Sequence, residues 1–183
     1  MTDVTQPDEH DGPPRSLIIA AVGVAVAAVI VVLTFAATRQ AAPPDRPVAI
    51  AAALAPDAES PQCQALMEEL PEQLGDYHRA EAVEPVPAGA AAWQADPQAD
   101  PVILRCGLQR PTDFVVGTPL QVVDTVQWFE ARAHGSSTWY AVDRGIYVAL
   151  TLPTGSGPTP IQLISKALER TMPAQPLDPG PPR

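Results

Sequence analysis

The chain has 183 residues and a formal net charge of −10. Beyond residue 37 it carries 17 acidic and 10 basic side chains, which argues against holding nucleic acid or anionic lipid heads through bulk charge. Its 23 prolines cluster at Pro43, Pro44 and Pro47, between Pro85 and Pro101, and from Pro173 onward, where they mark linkers and loops.

Residues 1–16 are polar, with Asp3, Asp8, Glu9 and Asp11 against Arg15, and read as a disordered cytoplasmic leader. Leu17 to Ala37 then form an uninterrupted run of 21 uncharged, mostly apolar residues. About 20 such residues let a helix cross a bilayer core of roughly 30 Å, so 17–37 is expected to be a single transmembrane helix. A cleaved signal peptide is the competing reading; it would have a positive leader and an apolar core of about 7 to 15 residues. Arginines near the run are almost balanced, Arg15 before it and Arg39 and Arg46 after it. Orientation is therefore read from Cys63 and Cys106, which both follow the run. Paired cysteines persist in oxidising compartments, which places the N-terminus inside and the C-terminal domain outside.

Residues 38–59 are rich in Ala and Pro and are expected to form a stalk, within which Val48 to Leu54 is either a short helix or an edge strand. The folded domain is expected over 60–172, and 173–183 as a disordered Pro-rich tail. Ser60 and Pro61 suit the cap and first turn of a helix in which Cys63, Leu66, Met67 and Leu70 recur on one face. Either Pro71 or the turn at Gly75-Asp76 ends it. Val102 to Leu104 reads as a strand, and Thr138 to Val142 and Ile146 to Leu152 flank Asp143-Arg144-Gly145 as a hairpin. Leu120 to Glu130 is one strand, or two that break at Asp124-Thr125. A last helix is expected over 160–171, capped by Thr159 and stopped by Pro173, with Ile161, Ile164, Leu168 and Met172 on one face. Helix, strands and helix in that order predict an α+β domain with an antiparallel sheet.

Several segments carry a family pattern. They are Cys63-Gln64-Ala65-Leu66, Ala91-Ala92-Trp93, Leu104-Arg105-Cys106-Gly107 through Arg110-Pro111, Val126-Gln127-Trp128-Phe129, and Thr138-Trp139-Tyr140-Ala141-Val142-Asp143-Arg144. Over about residues 55–172 the chain resembles an actinobacterial family of small membrane-anchored or secreted proteins of unknown function. The resemblance implies an extracytoplasmic, envelope-associated domain and supplies no catalytic or binding residues. Thr125 stands where relatives carry Gly in a Val-Asp-Gly-Val turn.

Cys63 and Cys106 are expected to form a structural disulfide. A metal site needs about four ligands, and His78 stands alone. His10 lies in the leader, and His134 stands in a polar loop too close to Ser136 and Ser137 for a catalytic pair to be read from spacing. No nucleophile elbow or Ser-x-x-Lys occurs. Thr154 to Pro158 lacks the lysine of a phosphate loop and reads as a flexible connector. Asp96-Pro97 and Asp100-Pro101 read as turn starts rather than calcium ligands. Trp93, Trp128 and Trp139 with Arg105, Arg110 and Arg144 serve either as packing or as a binding surface, since Trp and Arg are enriched at binding hot spots. Arg105 is expected to lie in contact with Trp93, by stacking, or with a carboxylate, and so to order the Pro-rich loop before its strand.

No cofactor is expected. The leading functional expectation is a non-enzymatic, membrane-tethered protein that binds or scaffolds an envelope protein or cell-wall ligand. The alternatives are a small envelope enzyme using His78 or His134, and a structural subunit of a membrane complex.

Overall fold

The computed structural model describes residues 15–39, 46–133 and 135–182. The leader up to residue 14, residues 40–45 of the expected stalk and His134 lie outside them. Two units separate along the chain, 1–42 and 43–183. In the first, helix α1 spans Arg15–Arg39. Its side chains are described only within 18–32, and among the described residues no helix is long and apolar enough to cross a membrane.

The second unit is built on one eight-stranded sheet. Its strands are β1 (Gln73–Leu74), β2 (Tyr77–Ala80), β3 (Ala90–Gln94), β4 (Val102–Leu108), β5 (Gln121–Val123), β6 (Val126–Ala133), β7 (Ser136–Ala141) and β8 (Tyr147–Pro153). Spatial order is β1-β2-β3-β4-β8-β7-β6-β5, and every neighbouring pair is antiparallel. Two chain-local meanders, β1 to β4 and β5 to β8, thus join at β4 and β8. The expected α+β class is found, with more strands than the sequence reading proposed. The stretch 120–130 is two strands, with Val123 facing Val126 across Asp124-Thr125. The left-handed residue there is Asp124, at φ 53°, a conformation its short polar side chain tolerates. Thr125 does not need to take it, which is why the turn dispenses with glycine.

Helices α2 (Pro61–Glu69) and α3 (Thr159–Thr171) complete the unit. Ser60 Oγ caps α2 by accepting from Cys63 N at 3.3 Å. Leu70 leaves the helix in an extended conformation, as a residue before proline tends to, so Pro71 and not Gly75-Asp76 ends α2; Gly75-Asp76 instead turns β1 into β2. Thr159 is already helical and no side chain caps α3, a departure from the expected Thr159 cap.

Side chains alternate along each strand, and one face of the sheet meets the helices. Trp93, Val102, Leu104, Cys106, Trp128, Val148 and Leu150 pack there against Cys63, Leu66, Ile164 and Leu168. Trp128 donates its indole N–H to Ser165 Oγ at 3.0 Å, and that hydroxyl donates to Ile161 O at 2.8 Å. All of this is buried. Ser165→Ala should therefore strand a buried donor and lower stability by about 1–3 kcal/mol, measurable by urea unfolding. Ser165→Cys should recover part of the loss.

The opposite face is covered by two segments, one expected as part of a stalk and the other as a disordered tail. Residues 46–54 are a strap, not a stalk. Val48 N donates to Glu81 O at 2.8 Å, Val83 N donates to Val48 O at 2.9 Å, and Val48 and Ile50 are buried against Ala90 and Ala92. The stretch Val48 to Leu54 is neither helix nor strand; a single parallel bridge from Val48 to Ala82 holds it. The Pro-rich tail is likewise held. Gln175 N donates to Asp143 O at 2.8 Å, and Gly180 N donates to Phe114 O at 2.9 Å. Phe114, Phe129 and Val142 form a small core beneath. In the tail, prolines remove donors, and two of the remaining N–H groups, those of Gln175 and Gly180, serve as anchors.

Candidate functional site

The expected disulfide joins Cys63 to Cys106, with Cα atoms 5.7 Å apart. It ties α2 to β4, and both cysteines are buried. Cysteine chemistry at these two positions is therefore spent on the fold.

The six Trp and Arg candidates divide by environment. Trp93 and Trp128 are fully buried. Trp93 donates its indole N–H to Pro71 O at 2.9 Å, and the Arg79 guanidinium lies 4.8 Å from its ring centre. The expected Trp93–Arg105 stack is absent. Trp93 pairs with Val102 across β3 and β4, so it shares the helix-side face with Leu104 and Cys106, whereas Arg105 points to the other face. There Arg105 Nη2 donates to Ala51 O of the strap at 3.2 Å. Arg105 thus orders a chain segment other than the expected Pro-rich loop, which keeps its own turn through Asp96 Oδ1 accepting from Gln98 N at 2.8 Å. Burial pulls the Arg105 pKa down, and nearby Tyr140 opposes that shift.

Arg110 clamps the tail, with Nη1 3.1 Å from Asp178 Oδ2. Arg144, at the tip of the β7–β8 hairpin, is not an exposed hot spot. It is buried with Asp143, Nη1 to Oδ2 3.2 Å, their side chains 2% and 3% exposed. Its Nη2 donates to Thr125 O at 2.8 Å, and Asp143 Oδ2 accepts from Gln127 N at 3.1 Å. The pair rivets the β5–β6 turn to the β7–β8 turn. Removing one partner of a buried pair leaves an uncompensated charge. Arg144→Met should accordingly cost about 3–5 kcal/mol, and Asp143→Asn/Arg144→Met together much less than the two single losses added, read as a double-mutant cycle by chemical denaturation.

Trp139 is the exception. It is only partly buried, and its indole N–H has no hydrogen bond to any described residue. Its position follows from the width of the sheet. Eight strands spread over about 34 Å at 4.8 Å per spacing, while each helix covers about 10 Å. The start of α3 leaves a corner of the helix-side face uncovered. Gln121, Val123, Glu130, Ser137, Trp139 and Leu152 form the floor of a groove there, and Thr154 to Pro158, Ile161 and Gln162 form its wall. Its volume is about 440 Å³, within the usual range for small-ligand sites. Gly155 and Gly157 hold the wall in left-handed turns, at φ 86° and 68°. Thr154 N fixes the wall's start by donating to Gly135 O at 3.0 Å. The expected flexible connector is thus one side of the groove.

Glu130 stands opposite Trp139 in the β6–β7 register. Its carboxylate accepts from Arg132 Nη2 at 2.9 Å and from Ser137 Oγ at 2.8 Å. The Arg132 hydrogen bond, more than the Ser137 one, holds the Glu130 pKa below the usual carboxylate range against the opposing effect of burial. A depressed folded-state pKa favours folding above the unfolded-state pKa, and that contribution is lost as pH falls through the folded-state value. Arg132 is 79% exposed, so solvent screening keeps the pair's contribution small. The chemical result is a groove floor whose single carboxylate stays ionised yet locally neutralised. Sequence reasoning named Trp139 but not Glu130, Ser137, Gln121 or Gln162. For Glu130 and Ser137 the signal is the pairing of 126–133 with 136–141; Gln121 and Gln162 lie on other elements, β5 and α3, and no local pattern points to them.

His78 is exposed on β2 and has no side-chain hydrogen bond or ion pair to a described residue. Among the described residues no three His, Cys, Asp or Glu side chains cluster as metal ligands would.

A family model described as protein of unknown function (DUF3515) matches residues 22–177. The chain belongs to that family. No curated protein and no solved structure matches it.

Proposed function

From membership of a family with no assigned activity, we propose that this chain is a membrane-tethered extracytoplasmic binding protein of the cell envelope, and that the Trp139 groove is its binding surface. The observation that carries the reading is the contrast among the three tryptophans. Two are sealed in the core with their N–H groups satisfied, and the third borders a 440 Å³ groove with its N–H bonded to no described residue. Trp contributes more binding energy per residue than almost any other side chain when a partner desolvates it.

The tether is argued from α1. Along it the sequence runs through 21 uncharged, mostly apolar residues, Leu17 to Ala37, against the roughly 20 that a bilayer core asks for. The described side chains are apolar and exposed, Ile19 at 72% and Val24 at 71% among them, and they show no polar face. Such a helix suits lipid rather than water. The family match begins at residue 22, inside this helix. The outward orientation rests on the Cys63–Cys106 bond, which fits an oxidising compartment.

Photo-cross-linking in intact cells tests the reading. A photoreactive amino acid at Ser156, on the groove wall, should trap a discrete partner, and the same group at Lys166, on the exposed side of α3, should not. Equal yields from both positions, or none from Ser156, would oppose a groove-based function.

A further inference from the structure

We propose that the groove takes a neutral saccharide. The inference rests on the reading of the groove as the binding surface and adds the chemical class of its ligand. Charge narrows the choice first. Among the described residues the lining holds one ionised carboxylate, Glu130, and no Lys or Arg, and the Arg132 guanidinium beside it is paired with that carboxylate at 2.9 Å; in a chain of net charge −10 an anionic ligand meets no unpaired counter-charge there. A cation finds Glu130 already engaged by Arg132 at 2.9 Å. The groove therefore favours an uncharged ligand.

Polarity narrows it further. Gln121, Gln162, Thr154 and Ser156 each offer both a donor and an acceptor, which suits hydroxyl groups that are themselves both, and Ser137, its proton given to Glu130, still offers an acceptor. Glu130 Oε1 and Oε2 accept from Ser137 and Arg132 and keep further lone pairs for a hydroxyl donor. Trp139 supplies an apolar plate of negative π density. A pyranose ring meets such a plate with the slightly positive C–H groups of one face while its equatorial hydroxyls reach the groove sides. A purely apolar ligand would leave these amides and hydroxyls unpaired at a cost, and an extended peptide would present few groups able to use so many two-way partners.

The test uses the full chain in a detergent without a sugar headgroup, read by saturation-transfer NMR. The probes are cellotetraose, maltotetraose, tetra-N-acetylchitotetraose, anionic trigalacturonate and a neutral nine-residue Ala/Pro peptide. At least one neutral tetrasaccharide should bind, with strongest saturation on the C–H protons of one ring face. Trp139→Ala should weaken it at least tenfold. Gln162→Ala alters an exposed side chain that leaves the core intact, and should weaken it threefold or more. No neutral saccharide binding, binding by trigalacturonate alone, or neutral binding indifferent to both substitutions would overturn the proposal. Peptide binding that depends on Trp139, without saccharide binding, would overturn the ligand class while leaving the groove as the binding surface.

Discussion

Gly107→Ala is expected to lower stability by about 2–5 kcal/mol, the sum of a left-handed backbone penalty and an overpacking penalty that cannot relax cheaply. Gly107 has φ 87°, and a Cβ built on it would lie 2.2 Å from Ala58 N and 2.4 Å from Asp57 C. Those atoms are backbone, so no side chain can rotate away. The contact is close because the chain before α2 docks on β4, with Asp57 N donating to Gly107 O at 3.1 Å. Pairing of β4 with β8 shifts register between Cys106 and Leu108, a bulge that aims the Gly107 carbonyl at that segment. Gly117 provides the control. It has φ 89° with nothing within 4 Å of its Cβ position, so Gly117→Ala should cost only about 1–2 kcal/mol. Urea unfolding of both variants with the disulfide intact separates the two effects. Similar losses would mean that close packing at 107 is not what glycine is for.

Loss of the disulfide is the second large effect. Cys63 and Cys106 are separated by 43 residues, and closing a loop of that length restricts the unfolded chain by about 4 kcal/mol in the chain-entropy model. Cys63→Ala/Cys106→Ala should lower stability by up to that amount, with Leu66 and Leu104 still packed between α2 and β4. The change is not additive with Gly107→Ala, because both act where α2 and the segment before it meet β4. Unfolding of the oxidised protein, the reduced protein and the double variant measures it. A loss below about 1 kcal/mol would show that docking of 55–60 and α2 holds without the bond.

The parts of this fold that were legible carry strong local signals. Helix α2 announces itself by Ser60-Pro61 and α3 by the stripe of Ile161, Ile164 and Leu168. The β7–β8 hairpin shows in alternating Val148, Leu150 and Leu152 around a Gly145 turn. Strands β1, β2 and β3 do not show, because Ala90-Ala91-Ala92 has little intrinsic preference for a strand. That segment is extended because β4 pairs with it and small side chains leave room for Ile50 above. The strap reads as part of an Ala/Pro-rich stalk and the tail as a disordered Pro-rich end, because local composition dominates both. Their order comes from a few backbone hydrogen bonds to distant strands, which no local pattern encodes.

The site was half legible for a similar reason. Trp139 stands out as a residue type, but its role depends on register. Glu130 is nine positions earlier and reaches the same face only because it pairs directly with Trp139. Register also defeated the expected Trp93–Arg105 stack. Alternation along β4 correctly sends Arg105 away from Cys106, but the β3–β4 pairing that puts Trp93 beside Val102 cannot be read from either strand alone. The sequence leaves Arg144 open between packing and a binding surface. Burial with Asp143 follows from the neighbouring Asp124-Thr125 turn, whose carbonyl it reaches.

On the proposed tethering to an envelope membrane, hydrogen exchange on the protein in native membranes, compared with the purified full chain in detergent, tests the central claim most directly. A groove occupied in the envelope and emptied by purification should show extra protection in native membranes at 121–123, 137–139 and 154–162. The strap at 48–50 and the tail at 175–180 should exchange alike in both. Protection confined to the strap and tail face, or identical exchange in the two preparations, would contradict a function built on the Trp139 groove.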